Sequence, residues 1–496
     1  MNSQKRAERS PGRWRAAEVA VVLVFGISRF AYRAIFDIAF DASPPGEFVQ
    51  YLNPWFVEHD FARSILYLHH QAPLQILVVQ GCMKLLGLAR ATVLLEALYH
   101  ALGLALALAS LRVLRRLGAP ILPSVVAVSL CSAAPSFVLY ENWLFYPLPT
   151  ASLLVFSLLA LLRYYRLGTF RAALVFFSLL GALALLRSTF GSLFICAAAA
   201  ILLFRPPPAP AGSSRRTILR AVALPLLIVT LNTAKTSWLV GHPYGGALLW
   251  QNLCTKVFVS LPAYEQSRLV DRGLVSHAAN YRGIVVDPAT YGRFRIPHAP
   301  TGVPLLDLDE VPGGGRNSHA LEHVLVAERY YRPDALYLLR HYPGIYLESV
   351  WGAISTQYVS SSIFADGLEN MPNFQKLEPL ESVSDFAFGR LGEKQLLALI
   401  VGLPLAWLYG VYRIVGLRAA AESERASTVA VSYMLLAIGY SAAITLLVSF
   451  GDFGRYRFDV DPLYFVLIVL FVVDAWRTAR RTFERLLARR RRTARL

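Results

Sequence analysis

Apolar residues fall in eleven runs: 17–36, 71–88, 92–111, 121–139, 144–163, 170–187, 189–204, 218–240, 394–415, 427–449 and 459–476. Most approach the roughly 20 residues that a helix needs to cross a hydrocarbon core. A chain built this way must satisfy its backbone internally, so helices are expected throughout. The pattern predicts an all-α polytopic membrane protein with about 10–11 transmembrane helices. Two long polar interruptions stand out, residues 37–70 and 241–393. The expected units are a membrane module over 1–240 with its first external loop at 37–70, a loop domain over 241–393, further spans over 394–476, and a basic tail over 477–496.

The first interruption is dense in chemistry. Asp37, Asp41, Glu47, Glu58, Asp60, His59, His69 and His70 follow the first run directly. Asn53 is a good N-cap and Pro54 suits the first helical position. Val57, Phe61, Ile65 and Leu68 then share one face, which predicts an amphipathic helix in the membrane interface. Asp41 and Glu47 flank Pro44-Pro45-Gly46 before it. His69, His70 and Gln71 close the loop at the mouth of the next run.

Charge sets the expected orientation. The chain has 496 residues and a net charge of +17, with mean hydropathy +0.46. The excess is not a nucleic-acid surface, because it sits in the termini and short connectors. Arg112, Arg115 and Arg116, then Arg163, Arg166 and Arg171, then Arg205, Arg215, Arg216 and Arg220, mark cytoplasmic connectors by the positive-inside rule. Both termini join them, and the tails are suited to anionic lipid headgroups. The first loop, Tyr140-Glu141-Asn142, Arg187, loop 241–393 and 450–458 then lie outside. Parity holds if 71–88 is re-entrant or interfacial, with ten full crossings; the alternative is eleven. The basic tail before the first run is signal-like, but Arg29 and Arg33 within the run point to a retained span. Four cysteines suggest neither a disulfide framework nor a metal site.

Loop 241–393 carries sixteen acidic and twelve basic residues and six of the ten histidines. Helices are expected over 318–330 and 334–352, interrupted at Pro333 and Pro343. His319-Ala320-Leu321-Glu322-His323 matches the H-x-x-E-H zinc-peptidase pattern. No third ligand accompanies it at suitable spacing, so no metal and no cofactor are expected.

The layout resembles the GT-C superfamily of membrane glycosyltransferases, which includes protein O-mannosyltransferases, aminoarabinose transferases and their bacterial relatives. The resemblance rests on the acidic first loop with its amphipathic helix, on His69-His70-Gln71-Ala72-Pro73-Leu74 with Lys84-Leu85-Leu86-Gly87, and on Tyr140-Glu141-Asn142. It rests also on Leu186-Arg187-Ser188 and on Gly454-Arg455-Tyr456-Arg457-Phe458 before Pro462. It implies a sugar donor on a polyprenyl phosphate, inverting transfer on the extracytoplasmic side, and a bacterial inner membrane. Asp41 is then the expected base, with Glu47 second. His69, His70, Glu141, Arg187, Arg455 and Arg457 are the expected donor or acceptor contacts, with the two last arginines held together by an extended, glycine-permitted turn. The acceptor is not specified. A transporter or lipid flippase, an O-antigen-ligase-like enzyme and a membrane scaffold are the other classes considered.

Overall fold

The computed structural model describes residues 11–207, 213–241, 246–281, 296–357, 407–415, 422–450 and 453–493, with 294, 368, 371, 373–377, 390–391 and 394–395. It is a helical membrane protein. Its elements are α1 (Pro11–Phe36), α2 (Pro54–His59), α3 (Phe61–Tyr67), α4 (Pro73–Leu86), α5 (Leu88–Arg116), α6 (Ile121–Ala133), α7 (Pro135–Glu141), α8 (Pro147–Leu167), α9 (Phe170–Leu186), α10 (Ser192–Phe204) and α11 (Ser213–Val240). Then come α12 (Gly246–Phe258), α13 (Ala263–Asp271), α14 (Leu321–Val326), α15 (Arg332–His341), α16 (Pro343–Gln357), α17 (Glu422–Val448), α18 (Phe453–Phe458) and α19 (Asp461–Thr493). Single helical turns are left unlabelled. The described strands are a two-residue ladder pairing Arg390–Leu391 with Lys394–Gln395.

Six described helices are long and apolar enough to span a membrane, or seven if the bent pair α6–α7 is one span. Three shorter apolar helices, α4, α9 and α10, join them. With 394–415, half of which lies outside the described residues, these account for every apolar run in the sequence. The bundle centre is α8, which packs on α5, α9 and α17. Gly181 of α9 lets α11 approach, since a Cβ there would stand 3.1 Å from Pro225 Cβ.

Contacts between distant segments sort the connectors into two ends. At one end Arg116 donates to the Leu159 carbonyl, Arg477 to Gly118 and Arg413 to Asp474. At the other end lie the first loop, the 141–146 segment, the Arg187 break and the stretch before α19. Part of loop 241–393 docks there too. Arg63 Nη2 donates to the Gly302 carbonyl at 2.6 Å, and Ser318 Oγ to the Val49 carbonyl at 3.2 Å.

Helix α4 has 14 residues, about 21 Å of helix against roughly 30 Å of hydrocarbon. It lies along the first loop. Gln75 donates to the Tyr51 hydroxyl, Gln80 to the Leu52 carbonyl and Lys84 to the Val57 carbonyl. Both ends of the helix are therefore held by residues 51–57.

Three local expectations change. Asn53 caps as expected, accepting from Trp55 N at 3.0 Å, but the single amphipathic helix is broken at Asp60 into α2 and α3. Pro333 does not end a helix. A π-helical turn over Ala327–Tyr331 carries the chain into α15, so that the missing proline N–H is absorbed by wider bonding. Residues 453–458 form the short helix α18 rather than an extended turn, although Gly454 is there.

Candidate functional site

The site is assembled on residues 141–146, a strap buried among α5, α8 and the first loop. Trp143, Leu144 and Phe145 are fully buried. A buried irregular backbone needs partners for its polar groups, and the first loop supplies most of them. Asp41 N donates to the Asn142 carbonyl at 2.7 Å, and Leu144 N to the Asp41 carbonyl at 3.0 Å. The Tyr51 hydroxyl donates to the Leu144 carbonyl and the Tyr99 hydroxyl to the Phe145 carbonyl, each at 2.8 Å. Asp41 is thus fixed through its main chain. Its side chain is half-exposed, with one oxygen accepting Ser43 N at 2.9 Å. Glu47 ends the Pro44–Glu47 turn and is exposed.

The far end of the strap meets two arginines. Arg187, in the break between α9 and α10, is 4 % exposed and pairs with the fully buried Asp459. Arg455 of α18 is also buried, at 6 %. The Arg187 guanidinium lies 4.6 Å from the Tyr146 ring and 4.3 Å from the Tyr456 ring. Arg455 lies over the same two rings, at 5.3 and 5.7 Å, and over Phe145 at 5.1 Å. Two like charges therefore flank one pair of tyrosines. Arg187 Nη2 is buried and has no hydrogen-bond partner. Arg457 does not face this centre. In a helix, residues two apart point to different sides, and Arg457 Nε instead reaches Asp461 at 3.0 Å. Of the carboxylates expected nearby, Asp452 lies outside the described residues.

Glu141, at the near end of the strap, is fully buried and already engaged. Arg29 contributes Nε at 3.0 Å and Nη2 at 2.5 Å, and His100 Nδ1 stands at 2.7 Å. Gly103 makes this possible, because a Cβ there would run into the Glu141 carboxylate. The triad adjoins a cavity of about 150 Å³ lined by Arg29, Arg33, His100 and Asn142 among others. Arg29 and His100 were missed as site residues in the sequence. The available signal was cost: a charge inside an apolar run persists only with a partner or a function.

His69 and His70 form a third group with His319. Ring centroids are 4.2 Å apart for His69–His70, 6.1 Å for His69–His319 and 5.8 Å for His70–His319. All three are buried. Desolvation, then the neighbouring histidines, hold His70 well below its ordinary value of 6.5. Desolvation pushes His319 down to about 3, although the Tyr51 carbonyl favours its charged form. The H-x-x-E-H pattern does not converge: Glu322 accepts Ile296 N at 2.7 Å, and His323 Nε2 lies 3.1 Å from the Asn317 carbonyl. Among the described residues, no three His, Cys, Asp or Glu side chains form a metal-binding group.

The expected residues thus fall into three groups joined by one strap: Glu141 with Arg29 and His100, Asp41 against Asn142 and Leu144, and Arg187 with Arg455 beyond Phe145 and Tyr146. The histidines sit to one side.

No family model matches the chain, and no curated protein does. Among solved structures it is similar to the Archaeoglobus fulgidus oligosaccharyltransferase, crystallised with a disulfide-tethered acceptor peptide containing the NVT sequon. Identity is 12%, the TM-score is 0.38, and the match covers 93% of this chain and 50% of that one. The chain therefore spans about half the length of that protein, and a likeness this low bears on neither substrate nor mechanism.

Proposed function

We propose that the chain is a GT-C-type membrane glycosyltransferase that transfers a sugar from a polyprenyl-phosphate donor to an acceptor on the extracytoplasmic side. The observation that carries this reading is the arginine pair. Arg187 and Arg455 bring two guanidiniums to one pair of tyrosines, and Arg187 keeps a buried nitrogen without a hydrogen-bond partner. A buried guanidinium donor left unpaired is costly. A phosphate oxygen would satisfy it, and the planar fork of arginine suits phosphate. The aromatic wall of Phe145, Tyr146 and Tyr456 keeps the site dry enough for such bonds to be strong.

In this reading Asp41 is the general base. The acceptor O–H or N–H gives its proton to the Asp41 carboxylate as the acceptor atom bonds to sugar C1. The C1–O bond to phosphate breaks on the opposite face, and the charge left on phosphate falls to Arg187 and Arg455. The main-chain bonds of Asp41 to Asn142 and Leu144 fix the base against the strap whose Phe145 and Tyr146 rings pack on the arginines. Glu141 supports that strap rather than touching sugar. The donor's lipid tail suits the membrane-facing side of the bundle.

Binding tests the phosphate assignment without chemistry. Polyprenyl phosphate lacking sugar should bind the purified protein, and Arg187→Lys and Arg455→Lys should each weaken it about tenfold, or roughly 1.4 kcal/mol. Equal affinity in wild type and both variants removes the arginine pair from donor binding.

One observation favours a second reading. The Arg29–Glu141–His100 triad is a set of titratable groups within apolar helices, as a proton-coupled transporter would use. Substrate flux across proteoliposomes in the absence of any sugar acceptor would support that class.

A further inference from the structure

The last helix, α19, is longer than a membrane requires. Its 33 residues make about 50 Å of continuous helix, against roughly 30 Å of hydrocarbon. Beyond Asp461-Pro462 at its start, no glycine or proline interrupts it. The surplus, 477–493, contains eight arginines and one acid, Glu484.

The surplus is not polar all round. At 100° per residue, Val472, Trp476, Ala479, Phe483, Leu486 and Leu487 fall in one stripe about 100° wide. Val472, Trp476, Phe483, Leu486 and Leu487 are 56, 71, 62, 54 and 40 % exposed. Arg477, Arg481 and Arg485 lie on the other side of the wheel, and Arg480 borders the stripe. The apolar stripe is continuous with the face that α19 turns to lipid within the bundle. It passes the first arginines without a change of azimuth.

That continuity identifies the occupant. A second copy of the helix would bring two strongly basic rods together, which their charge opposes. A surface that extends the lipid-facing stripe and borders it with arginine fits a bilayer carrying anionic headgroups. We propose that residues 477–487 are a docking surface for anionic phospholipid: α19 tilts so that Phe483, Leu486 and Leu487 enter the leaflet while Arg477, Arg480, Arg481 and Arg485 bind its phosphates. Arg477 also donates to the Gly118 carbonyl at 2.7 Å, which ties this surface to the α5–α6 turn. The opposite end of the same helix starts two residues after Asp459, the buried partner of Arg187. Lipid at one end therefore bears on a rod that reaches the arginine site at the other. This inference does not depend on the proposed activity.

The test uses full-length protein in nanodiscs with a tryptophan reporter, Phe483→Trp in a background with Trp476→Phe, read as its difference from the Trp476→Phe protein because seven other tryptophans remain. Brominated phosphatidylcholine is the quencher, with or without phosphatidylglycerol. Quenching should rise about threefold when phosphatidylglycerol is added, and high salt should reverse the rise. Arg480→Gln with Arg481→Gln should abolish the rise. The same pair changed to Lys, which keeps charge and helix, should retain it. Quenching that ignores phosphatidylglycerol and salt overturns the proposal. So does a reporter shielded only when two protein copies share one nanodisc, which would assign the stripe to self-association.

Discussion

Arg187 and Asp459 form a buried ion pair between residues 272 positions apart. The pair closes the Arg187 break onto the turn just before α19, and it leaves one Arg187 nitrogen for something else. Removing either partner of a buried pair strands a charge, typically at a cost of about 3–5 kcal/mol. Asp459→Ala and Arg187→Ala should therefore lower thermal stability, whereas Arg187→Lys should keep the fold. A melting comparison in detergent checks this. Equal melting of Arg187→Ala and wild type would mean that the pair is not formed.

The two C-terminal arginines should separate in their effects. Arg455 shares the tyrosine pair with Arg187, while Arg457 is bound to Asp461 at 3.0 Å. Arg455→Lys should weaken donor use about tenfold. Arg457→Lys should change it little, because Lys can still pair with Asp461. Kinetics of both variants at subsaturating donor distinguishes them. Equal loss in both would restore a two-arginine clamp at 455 and 457.

Base and bystander should separate in the same way. Asp41→Asn keeps the main-chain bonds to the strap and removes the proton acceptor, so turnover should fall about 10²–10⁴-fold with donor binding intact. Glu47→Gln, at an exposed turn, should stay near the wild-type rate. The opposite order would move the role to Glu47.

Acid should loosen the docking of the first loop on residues 302–319. His70, His319 and His323 are each held below the ordinary histidine value, so the folded state binds fewer protons than the unfolded one. The stability they contribute is complete above about pH 6.5 and is lost as pH falls toward the value of about 3 at His319. For His319 the loss is about 1.4 kcal/mol per pH unit in that window, and His70 and His323 act in the same direction. Asp309 beside His323 acts the other way, favouring its charged form. Hydrogen exchange of residues 49–70 at pH 7 and pH 5 measures the effect. Faster opening at pH 5, removed by His319→Asn with His70→Asn, is expected; identical exchange at both values contradicts it.

Gly103→Ala should damage the strap from a distance. Its methyl would displace the Glu141 carboxylate from Arg29, and overpacking of this kind costs about 1–3 kcal/mol. Arg29→Gln should mimic it. Stability measurements on both variants test the link, and an inert Gly103→Ala would show that Glu141 has room to move.

The sequence was most informative where one local rule acts alone. Apolar runs gave the helices, Asn53-Pro54 gave a cap, and the polar Arg187-Ser188 marked a real break. It was least informative where a distant partner decides. Glu141 reads as a helix-end carboxylate until Arg29, 112 positions away, is seen beside it. The glycine beside Arg455 suggested an extended turn, yet 453–458 is helical, and helical geometry is what sends Arg455 and Arg457 apart. Asp60 breaks an amphipathic pattern that periodicity alone carries through. His319 reads as one end of a zinc pattern along a helix, whereas it precedes α14 and its ring neighbours come from the first loop.

The most direct test of the central claim is release of sugar from a polyprenyl-phosphate donor. Purified full-length protein in lipid, given a radiolabelled donor and a cell-envelope extract as acceptor source, should transfer label to a new product and liberate polyprenyl phosphate in equal amount. Asp41→Asn should stop both, and Arg187→Lys should slow both while the protein remains folded. A folded wild-type protein that binds the donor yet neither transfers label nor liberates polyprenyl phosphate, with Asp41→Asn indistinguishable from it, would contradict the assignment.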